Sequence, residues 1–173
     1  NEFLNTYTDK EKDILGKYSS SLFTLNTFYT ANKTIVGRTI KKDTEKFLLD
    51  YWNNVVEYMV QWQELQHREI TKVDLRESYI ATQSIVIQAL GRIGNYYISH
   101  QDEMKDGLRG LERINWSRSA KQWYMRAVGK NGRIITSKKA ALLISNVIKK
   151  ELGIALSAEE INAEEALKKT IKD

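Results

Sequence analysis

The side chains that most often do chemistry are sparse in this sequence. His67 and His100 are its two histidines, and neither stands in a HEXXH or HXXXH spacing, so no zinc site or facial triad is expected. There is no cysteine, which removes thiolate metal sites and disulfides and agrees with a reducing compartment. Serines are abundant, yet none falls in a GXSXG or SXXK pattern that would mark a nucleophile. Gly91-Arg92-Ile93-Gly94 lies in a helical stretch without the preceding strand or the Gly-Lys-Ser/Thr ending of a phosphate loop, so a nucleotide fold is not expected. Glu159, Glu160, Glu164 and Glu165 crowd the last helical segment, where they read as a solvated acidic face. These residues predict no metal, no cofactor and no enzyme activity.

The cations carry more information. Residues 1–102 hold 12 Lys/Arg against 13 Asp/Glu, residues 103–150 hold 12 against 3, and residues 151–173 hold 3 against 6. The excess is therefore local, and a segment of this kind repels itself unless it meets an anion, of which a phosphate backbone is the commonest. A solvated face is the competing reading. The candidate nucleic-acid contacts are Arg92, Arg109, Arg113, Arg118, Lys121, Arg126, Arg133, Lys138 and Lys139. An Arg fork at 118 suits a phosphate or a carboxylate equally. Lys138 and Lys139 lie in the first turn of a helix, against the dipole preference, which favours an anion there. Trp116 reads as a core anchor or as a stacking surface for a base.

Positioning these residues requires helices. Asp74–Asn95 is the longest run with one helical face, carrying Leu75, Tyr79, Val86, Leu90 and Ile93, and it is predicted to be the central helix, started by Asp74 and ending near His100–Asp102. Gly91 and Gly94 within it should each cost about 1 kcal/mol relative to Ala, so either a neighbouring helix or a ligand backbone should lie against them. Thr8 with Glu11 predicts a short helix to about Tyr18, Ser20 or Ser21 a second one ended by Gly37, and Asp43 a long one to about Arg68 with Trp52 and Trp62 on one face. Glu103–Ile114 is amphipathic through Met104, Leu108 and Leu111, and helix is expected again over Lys121–Val128. Gly129-Lys130-Asn131-Gly132 is the strongest hairpin signal, placing two strands within 126–135. Ser137 opens a helix that Gly153 closes, and Ser157 with Glu160 is a capping box for the last one.

The chain has no proline, where average usage would give about eight or nine, and this favours long helices. No apolar run approaches the ~18 residues of a membrane span. The expectation is an all-α fold, one helical domain over residues 1–173 of about seven helices with a small hairpin near 126–135, in a soluble cytoplasmic protein. It begins without Met, as an excised C-terminal piece of a longer protein would.

Three ordered motifs extend this reading. Ser21-Leu-Phe-Thr-Leu-Asn-Thr-Phe-Tyr-Thr-Ala-Asn-Lys33, then Leu75-Arg-Glu-Ser-Tyr79 with Ala89-Leu-Gly-Arg-Ile-Gly94, then Ile114-Asn-Trp-Ser-Arg118 with Asn146-Val-Ile-Lys-Lys150 together resemble the C-terminal half of DndB proteins of bacterial DNA phosphorothioation (DNA sulfur modification) systems. The Asp-Gly-Gln-His-Arg motif of that family's N-terminal half is absent. The resemblance implies a DNA-binding transcription regulator of the modification gene cluster, not a sulfur-transfer catalyst. Its implied partners are double-stranded promoter DNA, other proteins of the system and a second copy of itself, with no membrane. It assigns no role to Arg76, Arg92, Trp116 or Arg118. The alternative is a protein-interaction or dimerisation module of the same system without direct DNA contact.

Overall fold

Nine α-helices are found among the described residues, 1–38 and 40–173, of the computed structural model. They are α1 (Glu2–Tyr7), α2 (Leu25–Val36), α3 (Thr44–Tyr58), α4 (Val60–Gln66), α5 (Lys72–Ser78), α6 (Ser84–Tyr97), α7 (Gln101–Leu108), α8 (Lys138–Leu152) and α9 (Ala158–Lys172). Short 3-10 turns at Arg109–Arg113 and Lys121–Trp123 join α7 to the segment before α8. The all-α expectation holds, with more and shorter helices than the apolar periodicity implied.

The expected central helix is divided. Its first part starts at Thr71, whose hydroxyl accepts the Asp74 amide while the Asp74 carboxylate accepts the Thr71 amide, so Asp74 is the third helical residue and not the cap. The chain turns extended at Tyr79 because a distant segment claims its backbone. The Ile80 amide donates to the Trp116 carbonyl at 3.0 Å, and the Arg118 amide donates to the Ser78 carbonyl at 2.8 Å. The expected Asp43 helix divides too, at extended Met59, where the side-chain amide of Gln63 donates to the freed Val56 carbonyl at 2.7 Å. Trp52 and Trp62 are both buried, as their spacing predicts.

Near the start of the chain the reading needs correction. The helix is α1, capped by the Asn1 side chain, and Thr8 ends it. Thr8–Asp9 (β1) pairs in parallel with Phe23–Thr24 (β2), and Asp9 accepts the amides of Glu11 and Lys12 in a local turn that competes with helix. Thr24, not Ser20 or Ser21, caps α2. Gly37 and Gly153 end α2 and α8 with positive φ, as expected. The hairpin is reduced to its turn: Gly129 donates to Arg133, Ile135 donates to Ala127, and a single antiparallel bridge joins Val128 to Ile134 without strands on either side. Lys121–Val128 is a 3-10 turn followed by a tight loop, in which the amides of Arg126, Ala127 and Val128 all converge on the Trp123 carbonyl.

The core forms around α6, which packs against α2 on one side and α8 on the other. Its glycines allow this. A Cβ at Gly91 would lie 3.1 Å from the Ala31 carbonyl oxygen, and one at Gly94 would lie 2.7 Å from the Ile35 side chain. A neighbouring helix, not a ligand, therefore lies against the bare backbone. One apolar cluster runs from Phe3 to Ile154, and a small second one joins Leu142 and Leu143 of α8 to Leu167 of α9.

Candidate nucleic-acid interface

The basic segment folds into two populations of side chain, one turned inward and one left in solvent. The inward set meets carboxylates on α9. Arg126 reaches Glu164 with both terminal nitrogens, one at 2.8 Å, and also donates to the Leu143 carbonyl at 2.9 Å and the Gln122 carbonyl at 3.2 Å. Asn146 donates to the same carboxylate at 3.0 Å. One turn earlier, Glu160 accepts from Lys149 at 2.9 Å and Arg92 at 3.4 Å, and Arg92 also donates to the Ser145 hydroxyl at 3.1 Å. The acidic face read into the last helix is therefore half wrong: Glu159 and Glu165 are exposed, but Glu160 and Glu164 are 2% and 5% exposed. Burial by itself would raise both carboxyls. The donors and cations around each overcome it, and both lie below the usual glutamate range.

Arg126, nearly buried, and Arg92, with 35% of its side chain exposed, thus commit their guanidinium groups to partners within the protein, bracing α6, α8 and the 121–128 loop against α9. Arg113 is more exposed but is engaged as well, donating to the Glu151 carbonyl at 2.7 Å with the Glu151 carboxylate 3.5 Å away. Arg109 lies 6.0 Å from the centre of the Tyr58 ring. Trp116 is fully buried and stacks on buried Trp123, ring centres 5.3 Å apart, so it is a core anchor and offers no face to a base.

The outward set follows one stretch of chain, from the 129–132 turn into the start of α8, with half-buried Arg118 brought to the turn. Arg118 donates to the Gly132 carbonyl at 3.2 Å, which holds its guanidinium beside the turn that carries Lys130 and Arg133. The Asn131 side chain accepts the Arg133 amide at 3.0 Å and tightens the same turn. Ile135, tied back to Ala127, then leads directly to the cap Ser137 and the exposed Lys138 and Lys139. Among the described residues, no carboxylate lies within ion-pair distance of Arg118, Lys121, Lys130, Arg133, Lys138 or Lys139. Lys121 stands apart from this group, with Arg113 and Glu151 at the edge of another hollow. Lys130 was not among the residues expected from sequence, although the turn that exposes it was.

Among the described residues no group of three or more His, Cys, Asp or Glu side chains is placed to hold a metal ion, and no helix is long and apolar enough to cross a membrane. No curated protein and no solved structure matched the chain. The family model for DndB, described as DNA-sulfur modification-associated, matches residues 1–155, which takes in every element from α1 to α8 and stops short of α9. With its three motifs spread over that span and its helices in place around them, the chain belongs to the DndB family.

Proposed function

We propose that this chain binds double-stranded DNA as a transcription regulator of a DNA sulfur-modification gene cluster, in a binding and not a catalytic role. The observation that carries the reading is that half-buried Arg118 and exposed Lys130, Arg133, Lys138 and Lys139 have no carboxylate partner among the described residues, while Arg92, Arg126, Lys149 and Lys150 are paired with α9. Cations without an acidic partner suit a phosphate backbone, where each contact releases a counterion. The experiment is a gel shift and anisotropy titration of the chain against a duplex carrying the cluster's promoter. Substituting the five residues together by Ala should abolish binding while circular dichroism stays unchanged. Equal affinity of the five-residue variant would remove this surface from the reading.

The second reading, an interaction module, is favoured by one feature. A hollow of about 250 Å³ between α1, α2 and α3 is lined by Leu4, Leu25, Phe28, Leu48, Leu49 and Trp52, and Leu25 and Leu49 are each 53% exposed. Apolar side chains presented this way suit a protein partner. Sedimentation of the chain with and without duplex DNA separates the two readings, since only the first predicts a complex with DNA.

A further inference from the structure

The last helix, α9, covers a second row of cations. We propose that the face of α8 beneath α9 is a further contact surface for duplex DNA, closed in this structure because the Glu160 and Glu164 carboxylates stand where phosphates would. This rests on the DNA-binding reading above and adds to it a surface that the outward residues do not include.

Lys139, Leu143, Asn146 and Lys150 recur at steps of four, three and four residues, which lines them along one face of α8. Lys149 stands beside that face. Arg126 reaches it from the 121–128 loop through the Leu143 carbonyl, and Arg92 reaches it from α6 through the Ser145 hydroxyl. Two carboxylates answer this row: Glu164 takes both terminal nitrogens of Arg126, with Lys150 3.9 Å away, and Glu160 takes Lys149 and Arg92. Two guanidinium nitrogens on two oxygens is also the geometry with which arginine holds a phosphate. The row adjoins the outward set, because Arg126 and Lys139 line one hollow of about 160 Å³ between the start of α8 and α9.

The cover is lightly fastened. It packs on α8, and Leu167 is its one large apolar side chain that is buried, since Ile161 and Ile171 are 46% and 47% exposed. Its hold on the body is therefore mostly polar. That hold is also incomplete: Asn146 is fully buried at the contact, its side-chain nitrogen donates to the Glu160 carbonyl at 3.2 Å and the Glu164 carboxylate at 3.0 Å, and its side-chain oxygen has no partner among the described residues. Ionised carboxylates have no donor to offer that oxygen. The edge of an adenine has both groups, an acceptor for the nitrogen and a donor for the oxygen. Every residue of the row lies within residues 1–155, which match the family, and the cover lies outside them.

The test opens α9 in the full 173-residue chain by two routes that change charge in opposite directions. Glu160→Gln with Glu164→Gln removes two negative charges, whereas Leu167→Asp adds one and breaks the apolar contact with Leu142 and Leu143. Hydrogen exchange is expected to show α9 unprotected and α6 still protected in both. Anisotropy titration should then show duplex DNA bound at least about tenfold more tightly than by the parent chain, with log K falling more steeply with log salt by about 0.9 for each uncovered cation that meets a phosphate. Arg126→Ala added to either variant should take back about one unit of that slope. Glu159→Gln with Glu165→Gln, the same charge change at exposed positions, should leave α9 protected and the slope unchanged. Tighter binding by the Glu160 and Glu164 pair but not by Leu167→Asp would assign the gain to net charge and overturn the proposal. So would α9 that stays protected in both variants, or that loses protection only together with α6. Opened variants that bind no better than a parent chain that does bind would overturn this surface and leave the outward one standing. DNA bound by the opened variants alone would support this surface and remove the outward one, and DNA bound by none of them would overturn both.

Discussion

Gly91 and Gly94 illustrate how one atom sets a helix separation. Replacing Gly91 by Ala gains up to about 1 kcal/mol of helix propensity. It also drives a methyl against the Ala31 backbone, which cannot rotate away, and overpacking of this kind costs about 1–3 kcal/mol. A net loss of about 1–2 kcal/mol is expected on urea denaturation, and a stabilised variant would show that α2 can slide. Glu164 makes the opposite point, that a charge can belong to the interior. Glu164→Gln keeps its size but leaves Arg126 buried against a neutral amide, and breaking a buried pair this way costs about 3–5 kcal/mol. Glu165→Gln, one residue on and exposed, should change stability by less than about 0.5 kcal/mol. The two denaturation midpoints check this. Nothing in the local pattern separates these two glutamates, because the partner that distinguishes them lies 38 positions away.

Whole elements were legible in the sequence wherever their boundaries are local. Ser137, Ser157 with Glu160, Gly37 and Gly153 cap or end helices with groups a few residues away, and each was read correctly. Boundaries imposed from afar were not, as at Tyr79, whose break depends on residues 116–118, and at Thr8, whose strand depends on residues 23–24. The same distinction governs how α9 responds to acid. Glu160 and Glu164 have carboxyls lowered in the folded state, so they stabilise it fully above the unfolded glutamate value of about 4.3 and lose that contribution as pH falls through their lower folded values. Hydrogen exchange over a series from pH 7 to pH 3 should therefore show α9 losing protection below about pH 4 while α6 keeps its own. Simultaneous loss in both helices would mean that α9 does not open as a separate unit.

Taken as one molecule, the chain holds its surplus of positive charge in two ways, and salt should tell them apart. If the outward cluster contacts DNA, log K should fall with log salt by about 0.9 per phosphate neutralised. Ala at Arg118, Lys130, Arg133, Lys138 or Lys139 should each lower that slope by roughly one unit. Ala at Arg126 or Arg92 should reduce stability instead and leave the slope alone, and Lys10 and Lys12 should affect neither. Anisotropy titrations between about 50 and about 300 mM salt, over which the Debye length shrinks from about 14 to about 6 Å, measure this. A slope reduced by the Arg126 variant in folded protein would move the interface toward α9. The pairing of residues 78–80 with 116–118 also has a bearing on how the protein is made. Synthesis runs from the N-terminus at about 5–20 residues per second, so the Ser78 carbonyl, which receives the Arg118 amide, waits on the order of 2–8 seconds for its partner to be added. During that interval the newborn chain has the residues that lead into α6 without the anchor that residues 116–118 supply, so this part of the core closes only after more than two thirds of the chain has been made.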